Sequence, residues 1–206
     1  MDITVDIPSN QLLAIRQFAA GKTEKRKYLQ GVRVDCSMRS DNIVAADGRV
    51  LGVCLLALPA SHPIQATIPS ELIDSLKLKL YETVTATFGP PEEHDDTVRR
   101  VTLTAGARQV YGLTTAGTFP DYRRVIPRAT TGQAAQFHPE LFTSIAKAAV
   151  ALAHGHKHVL EDVRIGYNGQ SGALILIAGM DDFIGAVMPL RAELGEVTAP
   201  EWVFEP

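Results

Sequence analysis

The sequence predicts an α+β fold assembled from βαβββ units, and three observations predict it. Three segments open alike, each running through a proline into leucine- or alanine-rich helical spacing: Ile7-Pro8-Ser9 before Leu12-Leu13, Ile68-Pro69-Ser70 before Leu72-Ile73, and Phe137-His138-Pro139 before Leu141-Phe142. The openings lie about 60 to 70 residues apart, the kind of fixed period that marks repeated units. After each helix come short β-like runs divided by turn residues.

In each opening a strand is expected to enter a helix, with proline in the first helical turn, where its missing N–H costs nothing. The helices carry one apolar face each: Leu12, Ile15 and Ala19; Leu72, Leu76 and Leu80; then Leu141, Ile145, Ala148 and Leu152. The first unit continues through strands at Gly31-Val32-Arg33-Val34, Asn42-Ile43-Val44-Ala45 and Arg49-Val50-Leu51-Gly52-Val53. Asp47-Gly48 reads as a tight turn between the last two. Strands of the second unit are expected at Thr83–Phe88, Arg100–Leu103 and Gln109–Leu113, with Gly89-Pro90-Pro91 breaking a hairpin and the acidic run Glu92 to Asp96 forming its solvated tip. The third unit supplies Val163–Tyr167, Ala173–Ile177 and Phe183–Val187, followed by a tail over 192–206. Between the second and third units lies Phe119-Pro120-Asp121-Tyr122-Arg123-Arg124-Val125-Ile126-Pro127, whose proline and aromatic content suits a structured connector rather than a flexible linker.

At 206 residues the chain is long enough for one to two cores. No apolar run approaches the ~20 residues that span a bilayer, and no basic-then-apolar leader opens the sequence, so a soluble cytosolic protein with no membrane partner is expected. Cys36 and Cys54 sit in apolar strand contexts away from any ligand spacing and read as buried free thiols. A net charge of −3 argues against a protein that coats nucleic acid electrostatically. Residues 1–127 carry 15 Lys and Arg against 14 Asp and Glu, whereas residues 128–206 carry 5 against 9, so any DNA contact should be local and salt-sensitive.

Four motifs carry a resemblance to a known family. The connector Phe119–Pro127 resembles that between the second and third domains of the bacterial DNA polymerase III beta subunit, the sliding clamp. Lys27-Tyr28-Leu29-Gln30-Gly31-Val32 resembles that family's Tyr-Leu-Asn-Gly strand, and Val44-Ala45-Ala46-Asp47-Gly48-Arg49-Val50-Leu51 its Val-Ala-Thr-Asp-Gly-His-Arg-Leu strand-turn motif. Val187-Met188-Pro189-Leu190-Arg191 is similar to the Val-Met-Pro-Met-Arg run that ends the family's chains. The resemblance implies the DNA-clamp fold: one full clamp domain over 1–118, an interdomain connector over 119–127, and a shortened clamp domain with a C-terminal tail over 128–206. The family's first domain is missing from this match, and three units stand where a full chain has six.

The resemblance also implies a function. Family clamps catalyse nothing and need no cofactor; they encircle double-stranded DNA as rings and receive short linear peptides, roughly Gln-Leu-x-Leu-Phe, from DNA polymerase, clamp-loader and repair proteins. Carried over position by position, the apolar wall of the peptide groove would be Tyr28, Leu29, Leu51, Pro120 and Val125, closed by Val187, Met188, Pro189 and Leu190, with Arg124 and Arg191 at the rim. A flexible methionine beside a rigid proline suits an adaptable peptide site. Ala46 replaces the motif's threonine and Ala186 a larger aliphatic residue, so a wider or shallower groove is expected. Candidates for nonspecific phosphate contacts are Arg16, Lys22, Lys25 and Arg26 on or after the first helix, Lys77 and Lys79 ending the second, and Lys147 on the third. A homo-oligomeric ring is the expected assembly, and a monomeric mimic competing for clamp-binding peptides is the alternative.

One rival chemistry is written in the chain. His154-Gly155-His156-Lys157-His158 alternates histidines that could ligate a metal on one strand face, the mark of a metalloenzyme. The run follows a helix at a glycine and lacks HExxH, so a solvated helix-end loop is the expectation. No nucleophile elbow, phosphate loop or dinucleotide fingerprint occurs.

Overall fold

The computed structural model describes residues 1–37, 40–153, 162–190 and 199–200. In chain order the elements are β1 (Ile3–Pro8), α1 (Ser9–Arg16), β2 (Gly31–Ser37), β3 (Ser40–Ala46), β4 (Val50–Leu55), β5 (Ile64–Pro69), α2 (Ser70–Ser75), β6 (Thr83–Glu92), β7 (Asp95–Ala105), β8 (Arg108–Leu113), α3 (Glu140–Ala153), β9 (Val163–Gly166), β10 (Ala173–Ile177) and β11 (Phe183–Val187). Short 3-10 turns lie at Lys27–Leu29 and Tyr122–Arg124. The first two units are βαβββ in order, and the fold is α+β with sheet predominating.

The strand-to-helix openings work differently from the expectation. Pro8 and Pro69 are the last residues of their strands, at φ −58° for both, and each stands at the helix N-cap rather than in the first turn. A residue preceding proline is held extended, so Ile7 and Ile68 stay in the strand and the helix begins immediately afterwards. Neither cap is closed by a side chain. Instead the Ser9 N–H donates to the Glu82 carbonyl at 2.9 Å and the Ser70 N–H to the Gln30 carbonyl at 3.0 Å, tying each helix start to another strand's approach.

Three further expectations are corrected. α2 stops at Ser75, so Leu80 joins no helical stripe; Lys77, at φ +49°, takes the left-handed conformation that commonly follows a helix end. Ala19 likewise lies beyond the end of α1. Gly89-Pro90-Pro91 belongs to β6, because β1 ends its pairing at Phe88 and leaves the following residues on an open edge where proline removes no ladder bond; register shifts between Phe88 and Glu92 absorb them. The acidic run straddles the hairpin tip, with Glu92 paired to Asp95. No strand leads directly into α3. Gly132 at φ +76° interrupts that stretch, which makes scattered bonds such as Gly132 N–H to the Tyr167 carbonyl and Leu190 N–H to the Gln136 carbonyl.

Two sheets result. One has the order β1-β6-β7-β8, and the other β5-β2-β3-β4-β11-β10-β9, all neighbours antiparallel. The larger sheet crosses the expected boundary at residues 119–127 without interruption, since β4 pairs with β11 from Val50↔Val187 to Cys54↔Phe183. Gly52 faces Gly185 in this ladder, and a Cβ on Gly52 would stand 2.3 Å from the Phe18 ring, which packs there and stacks on Phe183 at 5.9 Å. Leu12, Ile15 and Phe18 from α1 and its exit meet Leu141, Ile145 and Leu152 of α3 in one core with the inward residues of both sheets. Cys36 and Cys54 are buried free thiols.

Candidate functional site

The pleat of the large sheet sorts its side chains. Val32, Val34 and Cys36 of β2 face the helices, while Arg33, Asp35 and Ser37 face the opposite side. Register extends that outer face across Val44, Leu51, Val53 and Ala186. There Leu29, Phe119 and Tyr122 cover it in a second, smaller core. Burying an aromatic or leucine side chain is worth about 1.5–3 kcal/mol, enough to hold the connector down on the sheet.

A polar latch sets the connector's position. Asp35, only 3% exposed, accepts from the Tyr122 hydroxyl at 2.9 Å, from Gln65 Nε2 at 2.8 Å and from Arg123 Nη2 at 2.9 Å. Asn42, opposite Asp35 in the ladder, donates to the same hydroxyl at 3.1 Å. Burial alone would push the Asp35 carboxyl up, but these donors outweigh it and leave it below its ordinary value. Burial and the adjoining carboxylate push the Tyr122 phenol above its usual range. Asp121 caps the 3-10 turn by accepting from the Arg123 N–H at 3.3 Å, and the Arg123 guanidinium lies 4.5 Å from the Tyr122 ring centroid.

Beside the latch lies a cavity of about 180 Å³ between the connector, the β3–β4 turn and the exit of β11. Of the residues expected in the groove, Leu29, Leu51, Pro120, Val125 and Met188 line it. Val125 is 49% and Met188 40% exposed, so apolar surface stands open at its mouth. The turn that forms one wall is held by Asp47, whose Oδ1 accepts from the Arg49 and Val50 N–H groups at 2.7 and 2.8 Å, with Gly48 at φ +94°. The Met188 N–H donates to the Arg49 carbonyl at 2.7 Å and anchors the facing wall.

Other expected wall residues do not line this cavity. Val187 is fully buried because the strand pleat turns it into the main core opposite Val50, and its neighbour Ala186 faces the cavity instead. Tyr28 packs against the smaller core outside the cavity, and Arg124 is exposed on the connector. Leu190, 45% exposed, lines a separate small recess with Gln133 and Gln136, and Pro189 is half-buried between. Arg191 lies outside the described residues, as do His154, His156 and His158. Among the described residues no group of His, Cys, Asp or Glu could hold a metal ion.

Ala46 and Ala186, whose small side chains were expected to widen the groove, line the cavity too, and it also takes residues that motif reading did not assign to it: Phe119, Tyr122, Val50 and, at the rim, Arg26, Gly48, Arg49 and Asp121. Strand parity was the available signal, because Ala46, Leu51 and Ala186 share one face by alternation. The small Ala46 and Ala186 leave room there. Arg26 was a candidate for DNA contact, yet its guanidinium lies over the Gly48 turn and pairs with Glu24 at 2.9 Å.

Two more of the candidate phosphate-binding cations are engaged. Arg16 forms a two-pronged pair with Asp74 at 2.7 and 3.1 Å, and Lys22 pairs with Glu71 at 2.8 Å. Hydrogen bonding and charge attraction between Lys22 and Glu71 raise the amine's pKa and lower the carboxyl's. Lys25 is exposed after α1, Lys77 and Lys79 are exposed after the end of α2, and Lys147 is exposed on α3. Among the described residues, no helix is long and apolar enough to cross a membrane.

No protein-family model matches the chain, and no curated protein matches it. Solved structures do. The Pseudomonas aeruginosa DNA polymerase III beta subunit aligns at TM-score 0.63 and 20% identity over 92% of this chain and 66% of that one. The Bacillus subtilis DNA polymerase sliding clamp aligns at 0.65 and 15% identity, covering 92% and 64%, and the Thermotoga maritima beta subunit at 0.64 and 16%, covering 92% and 66%. The chain thus has the sliding-clamp fold and spans about two thirds of the length of the clamps it matches.

Proposed function

We propose that this protein is a member of the sliding-clamp family that docks short linear peptides of DNA polymerase and other replication or repair proteins, as a clamp-like processivity factor. The observation that carries the reading is the cavity where Leu29, Leu51, Pro120, Val125 and Met188, from four separate stretches of sequence, meet against the latched connector. An apolar peptide anchor needs such a preformed concave site, and a few contacts should dominate its affinity. The sliding-clamp fold adds support. A fluorescent peptide of the Gln-Leu-x-Leu-Phe type should bind saturably, and Met188→Ala should weaken it about five- to thirtyfold, the usual range for truncating an anchor-contacting residue. Absence of saturable binding at millimolar protein would overturn the docking reading.

A second reading keeps the pocket and drops the ring: a monomeric clamp mimic that competes for the same peptides. It is favoured by the pairing of Arg16, Lys22 and Arg26 with Asp74, Glu71 and Glu24, which neutralises charge that a DNA-encircling surface would use.

A further inference from the structure

The connector has a second cavity on its other flank. It encloses about 570 Å³, and Phe119, Pro120, Asp121 and Tyr122 form walls of both cavities. This volume falls within the ~300–1,000 Å³ range of small-molecule sites. Its character is polar: Arg33, Asp35, Gln65 and Arg123 line it with Thr118 and Ser37.

The charges in this cavity are unevenly satisfied. Asp35 spends one oxygen on Gln65 and the other on Tyr122 and Arg123, and Asp121 accepts from the Arg123 N–H. The Arg33 guanidinium, half-buried, forms no hydrogen bond or ion pair with any described residue. Partial burial lowers its pKa, and the nearby Asp35 and Tyr122 only partly offset that. A desolvated guanidinium carries five donors in a fixed fork, and a carboxylate satisfies two of them at once. Arg33 also faces away from α1 and α3, on the same sheet face as the apolar cavity. A ligand reaching it therefore comes from the side where the peptide docks.

We propose that this polar cavity is an acidic-residue subsite, in which Arg33 receives the carboxylate of a glutamate or aspartate flanking the apolar anchor of the docked peptide. The inference rests on the peptide-docking reading and specifies its partner: an apolar anchor followed or preceded by an acid, with the connector as the divide between them. Arg123 adds positive potential behind Asp35, whose own charge it already balances.

The test uses the intact protein and peptides that share one Gln-Leu-x-Leu-Phe anchor, each carrying glutamate at a different flanking position or glutamine at the same position. Calorimetric titration gives the glutamate-to-glutamine affinity ratio for every position. At one position glutamate should bind about tenfold tighter, the gain expected of a charge-assisted bidentate bond. In Arg33→Gln that ratio should fall to about one, a coupling measured within each protein and so insulated from any change in its stability. On the wild-type protein, the Arg33 side-chain Nε resonance should shift with the glutamate peptide and not with its glutamine counterpart. Anchors that bind with no glutamate preference anywhere would overturn the subsite while leaving the docking site standing. A preference that survives in Arg33→Gln would also overturn it. Failure of every peptide to bind would overturn the docking reading and this inference with it.

Discussion

Asp35 is the residue on which the connector turns. Its buried carboxylate has three donors on it, and removing one leaves part of its hydration uncompensated. Tyr122→Phe keeps the ring in the smaller core and deletes the hydroxyl that donates to Asp35 and accepts from Asn42. A loss of about 1–3 kcal/mol in urea denaturation is expected, with peptide affinity falling as the cavity wall loosens. The pH dependence has a definite sign. Because the folded-state pKa of Asp35 is depressed, its stabilisation is present above the unfolded value near ~3.9 and is lost as pH falls through the folded one. The wild-type protein should therefore lose stability below about pH 4 more steeply than Asp35→Asn, and parallel acid-unfolding profiles would contradict the latch.

At the scale of elements, the β4–β11 ladder joins what sequence divides into two clamp domains. Its weak point is Gly52, where the backbone must approach the Phe18 ring. Gly52→Ala would place a methyl 2.3 Å from a ring carbon, and overpacking of this kind costs about 1–3 kcal/mol. A lower melting temperature is expected in a thermal scan. Reduced peptide affinity should accompany it, since Leu51 and Ala186, its immediate neighbours in the ladder, line the apolar cavity. An unchanged melting temperature would mean that the two sheet halves yield independently there.

For the whole molecule, assembly is the property on which function divides. β8 and β9 end the two sheets with unpaired edges among the described residues, and β8 exposes Tyr111 and Leu113. Such edges suit strand pairing between copies, the step a ring requires. Light scattering across a range of concentrations should return a stable trimer or tetramer if the protein encircles DNA. A persistent monomer would instead favour the clamp mimic. In either state DNA binding by the free protein should be weak and salt-sensitive; tight, sequence-selective binding in a salt titration would overturn the clamp reading.

Local signals were enough for the strand and helix order of the first two units, the turn at Asp47-Gly48, the buried thiols and the structured connector, because proline, glycine and side-chain alternation act within a few residues of where they stand. Five of the pocket residues were legible too, through motifs whose spacing survives in this chain. Packing decided the rest. Whether Val187 or Ala186 faces the cavity depends on the register of β11 against β4, and the pairing of Lys22 with Glu71 depends on where α2 lands beside the exit of α1. That the Arg33 guanidinium has no partner among the described residues is likewise a product of three-dimensional competition: Asp35 stands two residues away in sequence, yet the folded connector brings Tyr122 and Arg123 to it. Such outcomes turn on contacts between residues far apart in the chain, and no local pattern encodes them.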